Sequence, residues 1–281
     1  MKRLDLDFNR IDRIVEYALR EDLGDGDLTT NALATEKRDS KAVIRAKSSG
    51  VIAGLPIAKR VFQKLDPTVV CVDNIGDGER IKPGDVLSEI NGSTRAILSG
   101  ERLALNILQR LSGIATLTSR YVKAVEGLPV KILDTRKTAP GLRMLDKYAV
   151  SVGGGYNHRF GLFEMVLIKD NHIEIAGGIS EAVEAIRRKY RHKYKIEIET
   201  SGIEEVKEAL IAGADIIMLD NMTPEQLRKA VKLVDKHALV EASGGIKLRN
   251  VREIAETGVD FISVGSLTHS APALDIGLYV V

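Results

Sequence analysis

Of the 281 residues none is tryptophan, one is cysteine, and glutamine occurs only as Gln63, Gln109 and Gln226. A lone Cys71 excludes an internal disulfide and any multi-cysteine metal site, which suits a reducing compartment. An excess of one charge is missing too: Lys plus Arg is 41 against Asp plus Glu 39, so no bulk field draws the chain to nucleic acid or a membrane surface. Any anion must therefore be held locally. No apolar run approaches membrane-spanning length, and the opening MKRLDLDFNRID is too charged for a signal peptide. The expectation is a soluble, cytoplasmic protein. A charged fraction of 28% with so little tryptophan and glutamine leans towards a thermophilic source. The glycine fingerprint of a dinucleotide site, with its downstream acid, is absent as well.

What is present falls into two patterns. In the first, Ile11, Ile14, Val15, Ala18 and Leu19 recur at helical spacing, predicting an amphipathic helix over residues 9–22 that Gly24 stops. The GDGDLTT that follows reads as a plain turn, since it lacks the later acids of a calcium loop. Short β-rich runs at 41–47, 51–53, 68–72 and 86–90 surround a helix at 56–65 with Pro56 in its first turn. These pieces predict a small α+β layer. Residues 94–126 then turn helical, with Gly113 expected to break them into two helices. Arg102 lies there beside Glu101, which cannot face it on a helix by adjacency alone.

After Gly127 short apolar runs recur, each closed by polar residues or glycine and most separated by helical segments. The runs are 130–133, 165–168, 195–198, 216–219, 239–240 and 261–264, with 149–152 read as a seventh. Strand, helix, strand repetition predicts a parallel sheet, best closed as an incomplete α/β barrel, with a doubly wound open sheet as the alternative. In a barrel the strand ends converge on one face. Arg136, Lys137, Lys169, Glu199, Asp220, Ser243 and Gly265 would then ring one mouth.

That ring divides by charge. Arg136, Lys137, His158, Arg159 and Lys169 form a cluster able to neutralise more than one carboxylate. Glu199 and Asp220 should stay ionised, holding Mg²⁺ through water or steadying a developing positive charge. Ser243-Gly244-Gly245 and Gly265-Ser266 offer backbone N–H groups to a phosphate.

Several of these segments carry a specific resemblance. TRKTAPGLR (135–143), GGGYNHRFGLFEMVLIKDNH (153–172), LDN (219–221), EASGGI (241–246), SVGSLTHSAP (263–272) and the N-terminal EDLGDGDLTT resemble the quinolinate phosphoribosyltransferases along essentially the whole chain. The resemblance implies joining quinolinate to 5-phosphoribosyl-1-pyrophosphate (PRPP), giving nicotinate mononucleotide, CO₂ and pyrophosphate. It also implies an N-terminal α/β sandwich domain, residues 1–112, and a seven-stranded open α/β barrel, residues 113–270, with the tail 271–281 packing back on the first. Assembly as homodimers or hexamers with shared sites is implied too. Residue by residue, Arg136, His158, Arg159 and Lys169 would surround quinolinate with Arg102 of a partner chain, Thr135 would bind substrate beside them, and Lys137 would lie between acceptor and pyrophosphate. Glu199 and Asp220 match the acids near the ribose hydroxyls and Mg²⁺. Ser243, Gly244, Gly245, Val264, Gly265 and Ser266 match the 5-phosphate loops, with His269 near the phosphate end. Lys137, Glu199 and Asp220 are the expected catalytic groups. Two other readings stand beside this one: a related phosphoribosyltransferase acting on another carboxylated acceptor, and a sugar-phosphate-binding protein without turnover.

Overall fold

Asp7 starts the first element, its carboxylate accepting the backbone N–H groups of Asn9 and Arg10. The computed structural model describes residues 6–34 and 38–281; residues 1–5 and 35–37, which the sequence places in the N-terminal domain, lie outside the described residues. In chain order the elements begin with α1 (Phe8–Leu23), α2 (Leu28–Leu33), β1 (Asp39–Ala46), β2 (Gly50–Val51), α3 (Leu55–Leu65), β3 (Val70–Asp73), β4 (Arg80–Ile81), β5 (Val86–Ser93) and α4 (Thr94–Ala124). They continue as β6 (Lys131–Leu133), α5 (Arg143–Val152), β7 (Val166–Ile168), α6 (Asp170–Ala176), α7 (Ile179–Tyr190), β8 (Ile196–Thr200), α8 (Ile203–Ile211) and β9 (Ile216–Asp220). The last are α9 (Pro224–Val234), β10 (Leu239–Ser243), α10 (Val251–Ala255), β11 (Phe261–Ser263), α11 (Ser266–His269) and β12 (Ile276–Val280).

The chain forms two compact units. One comprises the described residues of Arg3–Ser119 with Thr138–Gly154 and Leu267–Val281. Its sheet is antiparallel, in the order β12-β1-β5-β3, with Ala42 opposite Val280 and Ala46 opposite Ile276 where the end of the chain returns to β1. The apolar stripes of α1 and α3 bury Ile11, Val15, Val61 and Phe62, each contributing about 1.5–3 kcal/mol of burial free energy. In the aspartate-rich turn, Asp27 caps α2 by accepting the N–H of Thr30 at 2.9 Å.

Two expectations fail in this unit. Helix α4 runs through Gly113 unbroken. The glycine serves packing rather than a break: a Cβ there would stand 2.1 Å from the carbonyl oxygen of Pro272, so the returning chain needs the bare backbone. Next to it Ser112, and one turn on Thr116, take the N–H groups of Ala53 and Val51 at 3.0 and 2.8 Å. The run at 149–152 is the last turn of α5, not a strand. Buried Leu145, Ala149 and Val150 continue a helical spacing begun at Met144.

The other unit comprises Arg120–Lys137 and Gly155–Ser266. Its six strands are all parallel, in the order β6-β11-β10-β9-β8-β7. Tyr156 adds a single parallel bridge to Leu133 on the outer side of β6, so the extra edge lies a few residues beyond the expected seventh strand. Among the described residues the two ends of the sheet are not paired with each other, which makes the barrel open. The fold is thus mixed α/β, with buried, β-branched strands such as Ile196–Thr200 and Ile216–Asp220 covered by helices, as parallel sheets require.

Candidate functional site

Side chains alternate along a strand, and here one parity faces inward at every strand end. Leu167 and Lys169, Glu199, Met218 and Asp220, Glu241 and Ser243, and Ser263 line a single cavity of about 490 Å³. Thr135, Arg136, Lys137, His158, Arg159, Asn221, Gly244 and Gly245 complete it. The cavity lies at the C-terminal ends of the strands, where parallel barrels place their chemistry. A wider hollow of about 1100 Å³ lies at the opposite ends of β9 and β10, around Asp215, Lys229, Lys232 and Leu239, and gathers none of these groups.

The cations come from the two ends of the sheet. Thr135, Arg136 and Lys137 follow β6, and the Thr135 hydroxyl takes the N–H of Lys137 at 3.0 Å. Beside them Asp134, wholly buried, accepts the His158 N–H at 2.9 Å and the Asn157 amide at 2.6 Å, tying the second basic segment to the first. Arg159, 8% exposed, donates to the carbonyl of Met165 at 2.9 Å, just before β7, and so spans the seam of the open barrel. Burial, and then the neighbouring charge of Arg136, hold its guanidinium below the ordinary value, opposed by Glu197. From β7, Lys169 pairs with Glu199.

The middle of the sheet supplies acids and glycine. Asp220 accepts the Asn221 side-chain amide at 2.7 Å, and Asn221, at φ 55°, turns its N–H onto the Ser243 carbonyl at 2.9 Å. Gly244 has φ 84°, and a Cβ on it would stand 2.2 Å from Asn221 Oδ1, so only glycine fits this turn. Glu199 and Asp220 each use one oxygen in these bonds, leaving the other as the kind of hard oxygen donor that Mg²⁺ prefers.

Beneath the rim lies a group that strand-end reasoning did not single out. His158, Glu197 and Glu241 are buried with one polar atom of each within 4.8 Å of the others. His158 Nε2 stands 3.0 Å from Glu197 Oε2 and 3.6 Å from Glu241 Oε2. Ser263 donates to Glu241 Oε1 at 2.5 Å, while the Glu197 carboxylate and Glu241 Oε2 are buried with the His158 ring nitrogen as their neighbouring donor. Desolvation raises both carboxyls above the usual range; the Glu197 charge adds to it at Glu241, and Arg159 works against it at Glu197. The spacing alone would admit a small cation, but His158 Nδ1 accepts the N–H of Arg159 at 2.7 Å. That tautomer leaves the ring proton on Nε2, facing the acids, where a metal would need a lone pair. The signal was present in the sequence: Glu197 and Glu241 sit two residues before Glu199 and Ser243, on the same inward parity.

The expected residues outside the cavity lining are few. Val264 is buried and its N–H bonds the Leu133 carbonyl at 2.9 Å, while Gly265 and Ser266 follow β11 into α11. His269, exposed, has Nδ1 2.6 Å from the Ser270 hydroxyl, and Arg102 is exposed on α4; both belong to the antiparallel unit.

Comparison with known proteins adds to this geometry. The family model for the C-terminal domain of quinolinate phosphoribosyl transferase matches residues 114–279, and that for the N-terminal domain matches residues 27–112. A probable nicotinate-nucleotide pyrophosphorylase [carboxylating] of Bacillus subtilis is 46% identical over 271 residues, covering 96% of this chain and 93% of the relative. One from Synechocystis is 44% identical, covering 96% and 92%. The crystal structure of NadC from Streptococcus pyogenes superposes with a TM-score of 0.94 at 42% identity, covering 99% of each chain.

Proposed function

The chain belongs to the quinolinate phosphoribosyl transferase family, and we propose that it transfers phosphoribosyl from PRPP to quinolinate with loss of CO₂, forming nicotinate mononucleotide for NAD biosynthesis. One observation carries the reading: a single cavity holds Arg136, Lys137, Arg159 and Lys169 together with Glu199, Asp220 and the Ser243–Gly245 turn. A diacid, an activated pentose and a phosphate need those three kinds of partner. A sugar-phosphate sensor has no use for a second, cationic pocket beside the acids.

In this reading Thr135, Arg136, His158, Arg159 and Lys169 orient the two carboxylates of quinolinate, and Arg102, exposed on α4, reaches the site of a neighbouring chain in a homodimer or hexamer. Lys137 lies between acceptor and pyrophosphate. The N–H groups of Gly244, Gly245, Gly265 and Ser266, with Val264 shaping the loop and His269 at its far end, receive the 5-phosphate. Glu199 and Asp220 steady positive charge developing on the ribose as pyrophosphate departs. Glu199 and Asp220 would also hold Mg²⁺, which when bound neutralises charge on the leaving pyrophosphate. Attack by the pyridine nitrogen makes the ring cationic, and only then does the adjacent carboxylate leave readily, because that positive charge stabilises the carbanion. Positioning and electrostatics supply most of the rate. The domain division at 112/113, with 271–281 returning to the first domain, is part of the same proposal, supported by the two family matches and the β12–β1 pairing. So is a cytoplasmic location.

Incubation with quinolinate, PRPP and Mg²⁺ tests the reading. Nicotinate mononucleotide and CO₂ should appear together, and nicotinate offered as acceptor should give no product, since its single carboxylate leaves part of the cationic cluster unmatched. Equal turnover of nicotinate would count against it.

A further inference from the structure

Decarboxylation leaves an electron pair on the ring carbon next to the glycosylated nitrogen, and the product carries hydrogen there, so each turnover consumes a proton. The rim is occupied with other work. Arginine does not release its proton near neutrality, Lys169 is engaged by Glu199, and Lys137 in this reading faces the pyrophosphate. The floor is different. Two carboxyl groups, both buried, meet at one spot where the single His158 Nε2 proton, 3.0 Å from Glu197 and 3.6 Å from Glu241, cannot serve both, and Glu241 receives one further bond, from Ser263. Two charges that close in a dry site cannot coexist. A proton on Glu241 satisfies both, because its hydroxyl donates to Glu197 while Ser263 holds the other oxygen. Of the two acids, Glu241 alone lines the cavity.

We propose that the carboxylic acid of Glu241, held between Glu197 and Ser263 at the cavity floor, donates the proton that replaces the departing carboxylate. This rests on the quinolinate reading above. In the step, the bond from ring carbon to carboxylate breaks and its electrons stay on the carbon. As that bond breaks, the O–H bond of Glu241 breaks in the same step, its electrons stay on the carboxylate, and a C–H bond forms, so CO₂ departure is committed only with the proton's arrival. No oxidant or reductant is needed, and solvent returns a proton to Glu241 once the products leave. The groups facing Glu241 are Glu197 of β8, His158 of the segment after α5 and Ser263 of β11, while β9 presents the uncharged Met218 opposite it. Its neutral form therefore depends on its burial and on the charge of Glu197 beside it, with His158 working the other way.

The test follows pyrophosphate and CO₂ release together in the full-length enzyme. Glu241→Gln keeps the shape, with an amide donating to Glu197 and a carbonyl accepting from Ser263, but has no proton to give. Pyrophosphate release should stay within about threefold of the parent while CO₂ release lags by on the order of 100-fold, the low end for a general acid, and undecarboxylated mononucleotide accumulates. Glu241→Asp, which keeps an acid, should recover part of the CO₂ release. In the parent the same lag should appear as pH rises above neutrality and Glu241 loses its proton, whereas in Glu241→Gln it should not change with pH. Loss of both products in step in Glu241→Gln, or loss of neither, overturns the proposal. If that variant does not fold, the parent decides: CO₂ and pyrophosphate released in step through the alkaline range overturn it. A parent that yields neither product overturns the functional reading itself, a result distinct from in-step release by the variant.

Discussion

Asp146 in the antiparallel unit and Glu241 in the parallel unit both have no exposed surface, yet their surroundings treat them in opposite ways. Asp146 receives both arms of the Arg110 guanidinium at 2.8 Å and the N–H of Ala139 at 3.1 Å, so each oxygen is bonded. Glu241 accepts from Ser263, and beside it stand a second acid, Glu197, and only the His158 ring at 3.6 Å in place of a bidentate guanidinium. Burying an acid without a cation costs several kcal/mol unless the group is neutral. A fold that only needed to fill this space would have used an apolar residue. The matched acid is held for architecture; the unmatched one is held for its proton.

The largest effect should come from breaking the matched acid. Asp146→Ala strands the Arg110 charge and should cost about 3–5 kcal/mol of unfolding free energy, the range for removing one partner of a buried pair. Chemical denaturation measures it. A loss below about 1 kcal/mol would mean that Arg110, only partly buried, finds water instead, and the contrast with Glu241 would weaken.

Next comes the cationic rim, where depth separates two arginine-or-lysine positions. Arg159 is 8% exposed, and Arg159→Ala should lower kcat/KM for quinolinate by about 2–5 kcal/mol of transition-state binding. The Lys169 side chain is 44% exposed, so solvent screens it, and Lys169→Ala should cost less. Steady-state kinetics of the two variants reverses the argument if Lys169 proves the more costly loss.

The rim was legible in the sequence because each apolar run ended in charge or glycine, a pattern that needs no tertiary information once a parallel sheet is assumed. The floor was not, for a physical reason. Glu197 lies between Ile196 and Ile198, and reading 195–198 as one apolar run hides an acid whose inward direction follows from Glu199 two residues later. Gly113 misled for the opposite reason: glycine inside a helical pattern suggests a break, but the cause is the close passage of Pro272, 159 residues away in sequence. The run at 149–152 was ambiguous between strand and helix until Met144 and Leu145 were counted with it.

The last effect is on stability, is read as a slope against pH, and turns on the sign of one shift. Glu241 has its carboxyl raised in the folded protein by burial, above the value near 4.3 of an unfolded glutamate. Its contribution to stability is therefore fully present below that unfolded value and is lost as pH rises through the raised one, because the folded state holds the proton longer than the unfolded chain does. The parent should lose stability over that interval by at most about 1.4 kcal/mol per pH unit for this single proton. Glu241→Gln keeps both hydrogen bonds and titrates nothing there, so its stability should decline less steeply over the same interval. It should equal or exceed the parent on the alkaline side, while Asp146→Ala is less stable at every pH. Thermal unfolding of the three proteins from acid to alkaline pH makes the comparison, and parallel curves for parent and Glu241→Gln would mean that the floor holds no such proton.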